Sequence, residues 1–129
     1  MGTGSGEKTT TALGDEAEDA ALEYLESNGC RLIVAKYRSR VGEIDLIVED
    51  KRTLVFVEVR YRSDTSRGTG AETITATKQL RIIRTAEYFL INHKQYQDSA
   101  CRFDVISMND SDSMTDSIDW IKRAFTLDA

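Results

Sequence analysis

The chain reads GEIDLI at residues 42–47 and FVEVR at residues 56–60, and these two segments decide how it is interpreted. Each is a short apolar run with one carboxylate in its interior, Asp45 or Glu58. A single such carboxylate usually faces solvent, because burying an unpaired charge is costly. Two of them on neighbouring strands indicate a cation between them. Mg²⁺ prefers hard oxygen ligands and usually takes one or two carboxylates plus waters from a protein.

The connection between the two segments predicts how they pair. Residues 49–52 are all charged and predict a tight polar turn between antiparallel strands. Alternate residues of a strand share a face, so Glu58 and Arg60 point the same way, as do Glu43 and Asp45. Antiparallel pairing can then bring Asp45 and Glu58 together. The pattern therefore favours metal-dependent phosphate chemistry over packing alone.

Length and composition predict one soluble domain. The chain has 129 residues, 40% hydrophobic and 30% charged, which is ordinary for a globular protein. Residues 1–11 are rich in Gly, Ser and Thr and are expected to be disordered, which leaves residues 12–129 as the domain. Neither a membrane span nor a secretory signal is recognisable. We therefore expect a cytoplasmic protein without a membrane partner, whose two cysteines are free thiols.

The charge is distributed unevenly. The chain has a net charge of −5, which argues weakly against a nucleic-acid partner. Between Arg31 and Arg84, however, 12 basic residues outnumber 7 acidic ones. A local basic excess around two acidic strands would suit a polyanionic substrate, because local fields steer ligands. A solvated surface of mixed charge explains the same counts equally well.

Hydrophobic periodicity predicts the order of the elements. We expect a helix over residues 15–28, strands over 30–37, 43–49 and 54–62, a helix over 76–93, a strand over 102–108 and a short strand over 118–125. Gly29 is expected to end the first helix. An antiparallel meander followed by a crossover helix predicts an α/β sandwich with a mixed sheet.

The second predicted helix has an apolar face and a basic face. Thr75 or Thr77 is expected to cap its N-terminus. The residues expected to face the core are Leu80, Ile83, Ala86, Phe89 and Leu90. The residues expected on the polar face are Lys78, Arg81 and Arg84.

Several linked segments resemble the UPF0102 (YraN) family. They are GDE at residues 14–16, GEIDLI at 42–47 and VFVEVRYR at 55–62, with Lys78, CRFDV at 101–105 and AF at 124–125 extending the match. That family in turn resembles the restriction-endonuclease-like PD-(D/E)xK nucleases and the archaeal Holliday-junction resolvases. The resemblance implies a restriction-endonuclease-like αβββαβ core, a mixed sheet flanked by helices, and a metal-dependent nuclease site.

The resemblance also implies roles for individual residues. Asp45 matches the metal-binding Asp of the superfamily motif, Glu58 its second acid, and Glu16 an acidic position on the first helix that often completes such sites. Arg60 stands where the motif usually has Lys, and Arg cannot act as a base. Arg60 is expected either to hold the scissile phosphate or to pair with Glu58. Lys78 is either a substitute for the missing Lys or an exposed helix lysine.

The leading hypothesis is an endonuclease that hydrolyses DNA, with branched or single-stranded forms as candidates, and that uses Mg²⁺ (or Mn²⁺) held by Asp45 and Glu58. The phosphate contacts around the site are expected from Arg38, Arg40, Arg62, Arg67, Lys78 and Arg81. The alternative is a catalytically inactive nucleic-acid-binding module, which Arg60 and the acidic net charge favour. A third class is an interaction component whose acidic flanks bind a basic partner. Junction-cutting relatives work as dimers, which leaves a homodimer open here.

Overall fold

A five-stranded mixed sheet with one helix on each face forms the part of the chain that the computed structural model describes, residues 10–62, 74–109 and 118–126. In chain order the elements are α1 (Thr10–Ser27), β1 (Arg31–Arg38), β2 (Glu43–Asp50), β3 (Thr53–Arg62), α2 (Ala76–Asn92), β4 (Ala100–Asn109) and β5 (Ile118–Phe125). The strands lie in the order β1-β2-β3-β4-β5, with β3 and β4 parallel and the other neighbours antiparallel. The predicted α/β class is confirmed, and the architecture is consistent with a restriction-endonuclease-like αβββαβ core.

The bounds of most elements agree with the predicted ones within two residues. The exception is α1, which begins at Thr10 rather than at residue 15. Thr and Gly are poor helix formers, and their frequency before residue 15 concealed this extension. The predicted disordered segment lies outside the described residues, apart from Thr10 and Thr11, which are helical. No helix in the described ranges is long and apolar enough to cross a membrane.

The sheet separates two apolar layers. On one side α1 packs against it through Ala17, Ala21 and Leu25. On the other side the contacts of α2 are made by Ile82, Ile83, Ala86 and Phe89. The central strand β3 contributes Val55 and Val57 to the first layer and Phe56 to the second, so both of its faces are covered. Any polar residue on the middle of β3 is therefore drawn out of water.

Gly29 ends α1, as predicted. Its φ of +95° lies in the left-handed region that glycine adopts without strain. The Gly29 N–H donates to the Glu26 carbonyl and the Cys30 N–H donates to the Leu25 carbonyl, both at 3.0 Å. These bonds satisfy the last carbonyls of the helix and turn the chain into β1.

The N-terminus of α2 is fixed by Thr75, whose hydroxyl accepts a hydrogen bond from the Lys78 N–H at 3.1 Å. One predicted core position of this helix is wrong, because Leu80 is 50% exposed. Ile82 faces the sheet instead and is 3% exposed. The two positions are roughly 200° apart around a helix, so only one of them can face the core.

Candidate active site

The site forms where the backbone pairing between β2 and β3 ends. The last paired residues are Leu46 and Val57, so the next position along this register places Asp45 opposite Glu58. The Asp45 carboxylate instead accepts a hydrogen bond from the Val59 N–H at 2.8 Å through Oδ2. Asp45 thus supplies the acceptor that a backbone carbonyl would supply in a continued ladder. The predicted antiparallel pairing and the proximity of the two acids are both confirmed.

The burial of the site and the presence of Glu58 perturb the ionisation of Asp45. Glu58 is 5% exposed and Asp45 is half-buried. The pKa of Asp45 is raised to about 7, first of all by burial and then by the charge of Glu58 and a hydrogen bond to it. The Val59 N–H acts in the opposite direction, since it stabilises the ionised form. Asp45 therefore holds a proton up to pH values near 7 unless a cation compensates its charge.

Lys78 enters this acidic site from α2. Its Nζ lies 2.6 Å from Glu58 Oε2, an ion pair whose carboxylate partner is buried. The cap at Thr75 places Lys78 in the first turn of the helix, directly over the end of the strand pair. Lys78 thus contacts Glu58 although its side chain is 42% exposed, and its role as a substitute for the missing strand lysine stays a prediction.

Arg60 lies on the same side of β3 as Glu58, by strand periodicity, and is half-buried. Within the described part of the chain no ion pair joins Arg60 to Glu58, which pairs with Lys78 instead. The interpretation of Arg60 as the residue that holds Glu58 is therefore not supported. Its expected contact with a substrate phosphate stays a prediction.

Glu18 on α1, an acid that was not predicted from the sequence, lies near Asp45, and the predicted role of Glu16 stays a prediction. Glu16 is exposed, whereas Glu18 is half-buried. Burial is the largest influence on the pKa of Glu18 and raises it, Lys36 lowers it, and Asp45 raises it through its charge and a hydrogen bond. Residue 18 lies three positions before the buried Ala21, a helical spacing that turns it toward the sheet. That spacing is the signal by which the sequence could have indicated it.

Lys36 holds Glu18 in place from the edge strand β1. Its Nζ lies 2.5 Å from Glu18 Oε1, and it also pairs with Asp15 at 2.9 Å. The flanking register, Ala35 with Leu46 and Tyr37 with Ile44, places Lys36 opposite Asp45. Its φ of 56° is unusual for a lysine within a strand. Such backbone strain is concentrated at functional sites.

The acids line one of two adjoining clefts. A cleft of about 430 Å³ is lined by Asp45, Glu58, Lys78 and Arg81 together with Val41, Gly42, Glu43, Thr75, Thr77 and Ile82. It shares Arg81 and the hairpin residues with a neighbouring cleft of about 750 Å³, whose other basic residues are Arg38, Arg40 and Arg84. Four of the six predicted phosphate contacts thus line the two clefts. Arg84 was not among them, and Arg67 and the side chain of Arg62 lie outside the described part.

The donor set fits a hard cation. Asp45 and Glu58 offer oxygen ligands side by side at the edge of a cleft, which is the usual protein contribution to a Mg²⁺ site. Among the described residues no group of three or more His, Cys, Asp or Glu side chains is arranged to hold a metal ion. An ion here would complete its shell with water and substrate oxygens, as Mg²⁺ commonly does.

These features define an α/β protein with a mixed sheet, an αβββαβ core and an acid pair in a cleft that adjoins a second, basic cleft. The chain belongs to UPF0102: the model of this family, described as an uncharacterised protein family, matches residues 17–108. A UPF0102 protein of Nitrosococcus oceani is 41% identical over 116 residues, which cover 90% of this chain and 93% of the relative. Another, from Dechloromonas aromatica, is 43% identical over 120 residues, with 93% of each chain covered.

Proposed function

We propose that this protein is a metal-dependent endonuclease that hydrolyses phosphodiester bonds in DNA with Mg²⁺ or Mn²⁺. The observation that carries the proposal is the contact between two carboxyl groups, Asp45 and Glu58, at the edge of a cleft lined by lysine and arginine. Packing does not require such a pair, and its mutual repulsion is costly. Acids and bases in this arrangement are typical of functional sites. A cytoplasmic location belongs to the same proposal.

The residues divide the work between them. Asp45 and Glu58 would hold the ion, which when bound acidifies and orients a water molecule and offsets the charge on the phosphate. The Val59 N–H fixes the orientation of Asp45, and Lys78 fixes Glu58. Arg81 lines the same cleft, and Arg60 lies on the strand face of Glu58, so both are assigned to the negative charge that develops on the phosphate. The assignment of Glu16 to the site also stays a proposal, with Glu18 better placed.

A cleavage assay tests the proposal. Labelled duplex, single-stranded and branched DNA, with RNA for comparison, are incubated with Mg²⁺, with Mn²⁺ or with chelator. We expect cleavage that needs the ion and that falls at least about 100-fold in Asp45→Asn and Glu58→Gln, the loss expected when a main source of transition-state stabilisation is removed. Asp119→Asn is the matched control, since Asp119 is an exposed aspartate on the edge strand β5, two strands away from Glu58 on β3. Equal cleavage by wild type and by both site variants would identify a contaminating nuclease.

A nucleic-acid-binding module without catalysis is the second candidate. The observation that favours it is the ion pair between Lys78 and Glu58, which already compensates one of the two acids without a metal. Salt-dependent DNA binding without cleavage would support the module. No binding to any nucleic acid would leave a protein-interaction role.

A further inference from the structure

Four large apolar side chains are exposed in the described part of the chain, and all of them lie on one surface. They are Val41 (47% exposed), Leu80 (50%), Tyr88 (46%) and Ile91 (65%). Val41 is at the tip of the β1–β2 hairpin, and the other three follow the outer side of α2. We call this the hairpin–helix surface, formed by Arg40, Val41, Leu80, Arg84, Tyr88 and Ile91. Exposed apolar side chains gathered on one surface mark a binding site more often than scattered ones do.

The hairpin is held firmly against α2. Its turn is closed by the Ser39 N–H, which donates to the Gly42 carbonyl at 2.8 Å. The Ser39 hydroxyl lies 3.2 Å from the Thr85 hydroxyl, which donates to the Arg81 carbonyl at 2.8 Å. A Cβ on Gly42 would lie only 3.1 Å from Thr85 Oγ1, so glycine permits this close approach. The tip residues are therefore presented on a fixed platform.

Arginines alternate with the apolar side chains. Arg40 and Arg84 line the clefts of this surface, and Arg81 joins it to the acidic cleft. None of these three forms an ion pair with another described residue. Arg38 is paired with Glu43 at 3.3 Å, and Glu87 is the acid at the far border. The surface thus combines uncompensated positive charge with apolar contact area.

We propose that the hairpin–helix surface binds an unpaired strand of nucleic acid and leads it to the cleft of Asp45 and Glu58. An unpaired strand offers phosphates to arginines and base faces to a tyrosine and aliphatic side chains at the same time. A duplex keeps its bases stacked inside and offers mainly phosphates. In a symmetric dimer through this surface the same patch of each copy would meet, so the uncompensated arginines of the two copies would approach each other. Strand binding at this surface is independent of the proposed function. Only the statement that the strand leads to the cleft of Asp45 and Glu58 rests on that function.

Binding is measured by fluorescence anisotropy in the Asp45→Asn background with chelator, so that cleavage does not interfere. The probes are a labelled single-stranded oligonucleotide and the duplex of the same sequence. We expect Tyr88→Ala to weaken single-strand binding about 10-fold, because the variant loses one base-stacking contact. Duplex binding should change less than twofold. Arg84→Ala should reduce the slope of log affinity against log salt by about one.

Lys94→Ala is the matched control, because Lys94 is an exposed cation just past the end of α2 and outside the surface. Circular dichroism checks that each variant is folded. Equal single-strand affinity of Tyr88→Ala and its parent would overturn the inference, as would oligomerisation of the wild type that Tyr88→Ala abolishes. If cleavage requires the ion but Tyr88→Ala binds the single strand as well as its parent does, this inference is wrong and the proposed function stands. If no DNA is cleaved but single-strand binding depends on Tyr88, the proposed function is wrong and this inference stands.

Discussion

Asp45 in β2 and Asp104 in β4 each accept a hydrogen bond from the backbone, but the other groups around the two carboxylates differ. Each lies inside a strand and accepts a hydrogen bond from a backbone N–H of the adjacent strand, Asp45 from Val59 at 2.8 Å and Asp104 from Arg123 at 3.0 Å. Each therefore replaces a missing bond of the β-ladder. The environment of the rest of the carboxylate separates a structural aspartate from a candidate catalytic one.

Asp104 is completely surrounded by donors. It is 0% exposed, and Arg102 Nε donates to its two oxygens at 3.0 and 3.1 Å. Trp120 Nε1 donates to Oδ2 at 2.9 Å. The same arginine also pairs with the buried Asp50 at 2.8 Å. Each oxygen of this carboxylate accepts hydrogen bonds, and its charge is compensated by Arg102 within the protein.

Asp45 has one backbone donor, an acidic neighbour and an open cleft. Burial, the charge of Glu58 and a hydrogen bond to Glu58 raise its pKa to about 7. A divalent cation or a proton would supply the compensation that Arg102 gives to Asp104. A buried acid whose charge is incompletely compensated and that lines a cleft is therefore a better indicator of function than a buried acid surrounded by donors.

The largest effect is expected at the structural aspartate. Asp104→Asn leaves Arg102 with one carboxylate fewer and places an amide N–H₂ among donors, so we expect a loss of about 3 kcal/mol in the free energy of unfolding, as when one partner of a buried pair is removed. Urea unfolding measures it. The exposed Asp119→Asn should stay within about 0.5 kcal/mol of wild type. A similarly small loss for Asp104→Asn would break the comparison.

The second-largest expected effect is a gain in stability rather than a loss. Without metal, Asp45→Asn should raise the free energy of unfolding at pH 8 by on the order of 1–2 kcal/mol, because it removes a charge repulsion. The amide can still accept from the Val59 N–H and can donate to Glu58. A loss of stability in this variant would place Asp45 in the same structural class as Asp104.

The pH dependence follows from the raised pKa of Asp45, which goes from 3.8 in the unfolded chain to about 7 in the folded one. Between these values the folded state holds a proton that the unfolded state has released. The contribution of Asp45 to stability is therefore greatest below the lower value and is lost as pH rises to about 7. The stability difference between Asp45→Asn and wild type should accordingly grow from pH 5 to pH 8.

A divalent ion that binds between Asp45 and Glu58 should offset the repulsion between them and stabilise the folded protein. At an ion concentration of ten times Kd, binding to the folded state adds about 1.4 kcal/mol, or a rise in Tm of about 3–6 °C for a domain of this size. Asp45→Asn should abolish the rise, and Asp119→Asn should keep it. An equal rise in all three proteins would assign the ion to another place.

The smallest effect is expected from Arg60→Lys. If Arg60 acts only as a positive charge, the variant should keep cleavage within about tenfold, since the charge is conserved although the planar fork is lost. Arg60→Ala should lose more, with an unchanged circular dichroism spectrum. A gain of activity in Arg60→Lys would instead show that a strand lysine is missing from a weakened site. Kinetics with the best DNA substrate distinguish these results.

The sequence predicted the parts of the site that depend on local pattern. Alternation and a short turn were sufficient to pair β2 with β3, and with them Asp45 with Glu58. The choice between Glu16 and Glu18 depends on the rotation of α1 about its axis, which is set by how the helix packs on the sheet. The exchange of Leu80 for Ile82 in the core has the same cause. The partner of Glu58 comes from α2: helical periodicity placed Lys78 only on the polar face, and the resemblance to UPF0102 suggested a role for it in the site.

The origin of Lys78 on a separate element also has a kinetic consequence. The hairpin of β2 and β3 is local in sequence and can form early, because short loops close at little entropic cost. It brings Asp45 and Glu58 together before Lys78 has reached Glu58. Docking of α2 then adds Lys78 and the clefts in one step, so a chain with an undocked helix has both acids but an incomplete candidate site.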